Sequence, residues 1–338
     1  MKAMRIEGDW GLDHLKLVDL PEPAFGPDDV LIRMAAISIN PRDRILVEGG
    51  YGRMAGPLPL IPLCDGAGHV VDVGAEVKHI AAGDLVCPAY SRTWLDGTAG
   101  EHTHDGSHGG MIDGTAVELM TVPAEAVVKA PGHLDATEAA TLPCAAVTAW
   151  NAIVETGGVK AGDAVLLQGT GGVSLFALQF AKMQGARTIL ISSSDEKLAR
   201  ASELGADHLI NYRAEPDWHK HARNITDGRG VDHVVDIGGA GALERSIAAV
   251  RPSGMISLIG VLGGAATGLG LGRVVTRHVR LQGITVGSSA MFERMVRAMA
   301  LHATKPVVDQ ERFALEGLGD ALDRLSAGAH IGKIVGTI

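Results

Sequence analysis

Between the apolar run Val165-Leu166-Leu167-Gln168 and a stretch of helical spacing that starts at Val173, the chain reads Gly169-Thr170-Gly171-Gly172. Glycines where a strand passes into a helix leave bare backbone, which lets a diphosphate approach main-chain N–H groups. The helix amino terminus adds unpaired N–H groups and about half a positive charge. A dinucleotide diphosphate is therefore expected against Gly169, Thr170, Gly171, Gly172 and Val173. Ser174 stands at the third glycine of that fingerprint, where a small residue still suffices. A carboxylate ending the next strand would bind the ribose hydroxyls of NAD; here Ile191 is followed by Ser192-Ser193-Ser194. Ser193, Lys197 and Tyr212 instead offer hydroxyls and a cation, which suit a 2′-phosphate through charge-assisted hydrogen bonds. NADP(H) is the expected cofactor.

The elements that must position these groups alternate. Strands are expected over 164–168, 187–192, 207–212, 231–237, 255–260 and 280–286, with helices over 173–184, 195–204, 218–226 and 243–250. That order predicts an α/β fold with a doubly wound parallel sheet, a Rossmann domain over 125–303. Residues 1–124 read as short β-branched runs broken by Gly, Pro and Asp, a mostly β domain. A helix over 316–327 and a last strand over 332–338 are expected to return to it, so that 304–338 completes the first domain.

At 338 residues two domains are expected. With 39 acidic against 30 basic residues and a net charge of -9, no basic patch argues for nucleic acid. No uncharged apolar run reaches membrane-spanning length. Three scattered cysteines, Cys64, Cys87 and Cys144, make no disulfide framework and point to a reducing compartment, the cytoplasm. The run Glu101-His102-Thr103-His104-Asp105-Gly106-Ser107-His108 is expected as a solvated loop whose histidines lack a scaffold for a metal.

The chain resembles the medium-chain dehydrogenase/reductase superfamily, closest in pattern to its zinc-independent, quinone oxidoreductase-like branch. Besides the glycine turn, the resemblance rests on Gly26-Pro27-Asp28-Asp29-Val30-Leu31-Ile32, Ser38-Ile39-Asn40-Pro41-Arg42-Asp43 and Gly66-Ala67-Gly68-His69-Val70-Val71-Asp72-Val73-Gly74. Ala82-Gly83-Asp84-Leu85-Val86, Ala139 to Trp150 and the terminal His330-Ile331-Gly332-Lys333-Ile334-Val335 extend it over nearly the whole chain. It implies a GroES-like catalytic domain beside the Rossmann domain, a cleft between them and hydride transfer from C4 of a nicotinamide. It further implies that Thr148, Gly238, Gly260, Val261, Leu262 and Ser288 line the nicotinamide and its ribose. Lys197 and Tyr212 match the pair holding the 2′-phosphate in NADPH-using members, and pairing of the 280–286 strands would make a homodimer.

Zinc-dependent members use a cysteine, a histidine and a second cysteine, with a carboxylate after the histidine; the matching positions are Asn40, Cys64, Cys144 and Asp65. An amide is a poor zinc ligand, and buried cysteines behave as small hydrophobes, so no metal site is expected. The family's four-cysteine structural zinc lobe is missing, since no cysteine lies between Cys87 and Cys144. In the quinone oxidoreductase branch, the positions of Asn40 and Tyr51 point toward substrate, as an amide donor and a hydroxyl donor, with Asp43 orienting Asn40 or a water chain. The expected activity is NADPH-dependent reduction of an enone, quinone or carbonyl compound. A zinc-dependent alcohol dehydrogenase using Cys64 and Cys144, and an NADPH-binding sensor or structural protein without turnover, are the alternatives.

Overall fold

In the computed structural model, which describes residues 1–266 and 268–338, the short apolar runs of the amino-terminal half become strands β1 (Lys2–Ile6), β2 (Leu15–Asp19), β3 (Asp29–Ile39), β4 (Asp65–Val73), β5 (Leu85–Pro88), β6 (Leu119–Pro123) and β7 (Val127–Lys129). Helix α1 (Pro41–Val47) follows β3 directly because Pro41 supplies a preset φ at the first helical position. Short helices α2 (Ala136–Ala139) and α3 (Val147–Trp150) come next.

The later half alternates as expected: β8 (Ala164–Gln168), α4 (Gly172–Met183), β9 (Arg187–Ser192), α5 (Asp195–Glu203), β10 (His208–Asn211), α6 (Trp218–Ile225), β11 (Val231–Asp236), α7 (Leu243–Ala249), β12 (Val250–Leu258), α8 (Gly272–Thr276) and β13 (Arg280–Gly283). These strands form one parallel sheet in the order β10-β9-β8-β11-β12-β13. β8 and β11 are buried along their whole length; β8 reads as an almost unbroken apolar run, whereas β11 buries Asp232, His233 and Asp236 among its valines. β12 begins five residues before the expected start, since a register irregularity between Val231 and His233 admits Pro252 and Gly254 into the strand. β13 stops at Gly283, and Val286, with φ 39, lies outside extended geometry. Helix α9 (Ser289–His302) was not anticipated, although Met291, Phe292, Met295 and Met299 give it a buried stripe at helical spacing.

The chain then returns through β14 (Val308–Ala314), α10 (Leu318–Ala327) and β15 (Lys333–Thr337). As expected, the last strand joins the first part of the molecule, antiparallel to β3, in a sheet of order β14-β15-β3-β4-β5-β7 with β6 on β3. Contacts gather Met1–Val147 with Val286–Ile338 into one unit and Thr148–Thr285 into a second. The core of the first is built on Ile32, Ile37, Leu63, Val70, Leu322 and Ile334, that of the second on Leu166, Ile189, Val234 and Ile256.

Candidate active site

Strand register brings together residues far apart in the chain. β3 pairs Ile39 with Ile334 on one side and Ser38 with Asp65 on the other, so Asn40, Asp65 and Lys333 meet at one end of three neighbouring strands. Lys333, 3% exposed, donates from Nζ to Ile39 O at 2.8 Å, Asn40 Oδ1 at 2.5 Å and Asp65 Oδ2 at 3.0 Å. An ammonium has three hydrogens, and each finds an oxygen, so the charge is held without water. Asp65, fully buried, also accepts Asn40 Nδ2 at Oδ2 and the Cys144 N–H at Oδ1, both at 2.8 Å. A buried ion pair is tolerable only when its remaining polar atoms are matched in this way.

Asn40 caps α1, and its N–H donates to Asp43 Oδ2 at 2.8 Å. The carboxyl of Asp43 is pushed up to about 6 by burial, against the pull of Arg42. Arg42 lies 3.3 Å from Asp43 Oδ1 and donates to the carbonyl oxygens of His108 and Gly109. Its guanidinium sits over the rings of Tyr51 and Tyr90, 5.9 and 5.2 Å from their centroids, in cation–π range. Burial raises the Tyr51 hydroxyl above its ordinary value although Arg42 opposes it, so at neutral pH the phenol remains a proton donor. Asn40, Asp43 and Tyr51 thus share one neighbourhood, with Asn40's amide oxygen bound to Lys333 and its NH2 to Asp65. Cys64 follows Leu63, a buried non-glycine residue at φ 73. Such backbone strain needs the support of its surroundings.

Among the described residues, Cys64, Asp65 and Cys144 bring ligand atoms within 4.8 Å of one another. The set fits a catalytic zinc poorly. Asp65 already pairs with a buried ammonium, and both of its oxygens accept N–H donors. Asn40 Nδ2 lies 2.8 Å from Asp65 Oδ2 and 3.8 Å from Cys64 Sγ, so hydrogens rather than a lone pair face that side. The histidines of 101–108 do not gather. His102 is exposed beside Asp105, whereas His108 is buried on Asp113 O, contrary to the solvated loop expected for the whole run.

In the second unit the dinucleotide turn has the expected form. Gly169 takes φ +80, and a Cβ on Gly171 would meet nothing within 4 Å, so the space before α4 is open. Gly171 caps α4 without a side-chain hydrogen bond, leaving the first-turn N–H groups to a ligand. Ser174, fully buried, donates to Gln168 O and ties helix to strand. Val173 lies in the first turn of α4 and Thr170 is buried. Ser193 and Lys197 follow β9, Tyr212 follows β10, Gly238 follows β11, and Gly260, Val261 and Leu262 follow β12, all at carboxyl ends of one parallel sheet. This is where open α/β sheets bind ligands. The nearest carboxylate after β9, Asp195, is held by Asn211 Nδ2 at 2.7 Å. Thr148 is buried in α3, and Ser288 caps α9 through its hydroxyl, accepting from Met291 N.

The sequence reading passed over three groups. Lys333 was noticed as part of a terminal landmark and Arg42 as part of another, yet a lone cation in an apolar strand already signals a buried partner. Asp236 is fully buried and binds Gln168 Nε2, Ser246 Oγ and Gly239 N, fixing the turn that carries Gly238. An aspartate directly after Val234-Val235 and before Ile237-Gly238-Gly239 was the available sign.

A dinucleotide turn on a six-stranded parallel sheet, with a β unit holding a buried polar cluster, defines a nicotinamide-dependent oxidoreductase. Residues 26–132 match the alcohol dehydrogenase GroES-like domain, and residues 172–301 match the zinc-binding dehydrogenase family. A zinc-type alcohol dehydrogenase-like protein of Schizosaccharomyces pombe is 41% identical over 332 residues, covering 96% of this chain and 95% of the relative. The chloroplastic NADPH-dependent alkenal/one oxidoreductase of Arabidopsis thaliana is 31% identical, with 99% of this chain and 79% of that one covered. The crystal structure of an NAD-dependent alcohol dehydrogenase superposes with a TM-score of 0.90 at 33% identity, over all of both chains. The chain belongs to the medium-chain dehydrogenase/reductase superfamily and is an oxidoreductase.

Proposed function

We propose that the protein reduces an activated double bond, a quinone or a carbonyl compound with NADPH and without catalytic zinc. The observation that carries this reading is the buried contact of Lys333 with Asp65 and Asn40, which sets a fixed cation and amide hydrogens where a metal would need lone pairs. The nicotinamide, when bound, supplies hydride from C4. The protein's own residues bind and orient: Gly169 to Val173 take the diphosphate, and Ser193, Lys197 and Tyr212 take the 2′-phosphate. Thr148, Gly238, Gly260, Val261, Leu262 and Ser288 line the nicotinamide and ribose. In this reading Tyr51 donates a hydrogen bond to the oxygen that gains charge, since aimed donors are the usual means of stabilising it. Asn40 and Asp43 act beside it, Asp43 by fixing the N–H of Asn40.

Domain limits at 1–124 with 304–338 and at 125–303, a cytoplasmic location and a homodimer paired through the outer edge of β13 belong to the same proposal. The test is NADPH oxidation followed with enones, quinones, aldehydes and ketones. Turnover of at least one class with less than a tenth of a zinc per chain is the expected result; no turnover despite tight NADPH binding overturns it. The zinc-dependent reading has one observation in its favour, the closeness of Cys64, Asp65 and Cys144. Stoichiometric zinc, with activity lost on chelation, would establish it.

A further inference from the structure

We propose that Cys64 and Cys144 are a redox-active dithiol that closes to an intramolecular disulfide when a peroxide reaches Cys144. Their sulfurs lie within 4.8 Å of each other. The Cys144 N–H is bonded at 2.8 Å to the carboxylate of Asp65, the residue next to Cys64, so the two backbones are tied together independently of the sulfurs. A disulfide needs sulfurs about 2.05 Å apart, within reach of side-chain rotation once the backbones are held close. Burial differs between the two. Cys64 is fully buried, whereas Cys144 is half-buried in the wide helical turn Leu142–Ala146, so an oxidant meets Cys144 first.

The chemistry balances with hydrogen peroxide as oxidant. The Cys144 thiolate attacks one oxygen, an S–O bond forms, the O–O bond breaks and hydroxide leaves to take up the proton lost from Cys144. Cys64 sulfur then attacks Cys144 sulfur, the S–O bond breaks, and the hydroxyl departs as water with the Cys64 proton. Two thiols lose two electrons in all, and peroxide becomes two waters. Cys87 serves as the internal control, being buried with its thiol on Ala139 O at 3.3 Å.

This goes beyond the proposed activity and depends on it in one respect, because a metal held by the same sulfurs would shield them. The experiment uses the full chain after metal analysis, with hydrogen peroxide as the probe, acid quench, thiol counting in denaturant and peptide mapping. The expected result is a fall from the three thiols of the chain to one, a Cys64–Cys144 peptide pair, and return to three with dithiothreitol. The C87S variant should fall from two to none, which excludes Cys87 without disturbing the pair. A count that stays at three in metal-free protein, a bond between chains, or a bond to Cys87 overturns the dithiol proposal and leaves the zinc-free activity standing. One zinc per chain, with thiols protected until it is chelated, overturns both.

Discussion

Lys333 has no water to turn to if its partners are removed, and neither has Asp65. Replacing Lys333 with Met strands a buried carboxylate, a change that typically costs 3–5 kcal/mol, roughly the range expected here. The urea midpoint should fall accordingly. The double substitution Lys333→Met with Asp65→Asn should recover most of the loss, because no unpaired charge remains; a double variant as unstable as the single one would refute this account. Lys197, exposed in part, is the residue proposed to hold the 2′-phosphate. Removing a charge-assisted hydrogen bond costs about 1.5–3 kcal/mol, or roughly a 10- to 100-fold loss of affinity. Lys197→Ala should therefore raise KM for NADPH by that order and leave KM for NADH nearly unchanged. Equal effects on both would show that Lys197 does not read the 2′-phosphate.

Among the elements, the turn from β8 to α4 makes the sharpest expectation. A Cβ at Gly171 would meet nothing within 4 Å, so Gly171→Asp should fold normally yet put a carboxylate where the proposed function lays the diphosphate. Dinucleotide affinity, measured by fluorescence titration, should drop at least 100-fold with thermal stability unchanged. Loss of stability in step with affinity would contradict this picture. The same turn was legible in the sequence because its signal is local: apolar strand, glycines, helix. So were β8 and β9, whose observed limits equal the expected ones. The Asn40, Asp65 and Lys333 cluster was not legible, since it depends on the registers of β3 with β4 and β15, which no local pattern encodes. Asn40 was read as a group aimed at substrate, and only the placement of Lys333 reveals where its amide oxygen is engaged.

For the molecule as a whole, two buried histidines set the acid limit. Burial lowers His108, in the first unit, and His233, in the second, to about 4. A histidine lowered on folding stabilises above its unfolded value, about 6.5, and loses that contribution as pH falls toward 4. Asp43, raised to about 6, acts oppositely, favouring the folded state as it gains a proton below that pH. Two losses outweigh one gain, so stability should drop by about 2–3 kcal/mol from pH 7 to pH 5, read from urea midpoints. A His233→Gln variant should remove roughly three quarters of the dependence, because the loss from His108 that remains is largely offset by Asp43. An unchanged slope would mean that His233 is not buried neutral.

The pairing of β15 with β3 has a consequence in time. Ile334 must find Ile39 across almost the entire chain. A ribosome adds about 5–20 residues per second, so for many seconds β3 waits with one edge open while the residues of Thr148–Thr285, already complete, can fold. The nascent chain is thus expected to finish its interior insert first and the unit that surrounds it in sequence last. Until the final strand is released, Asp65 has no ammonium to meet it, and this half of the protein is the one a chaperone would have to guard.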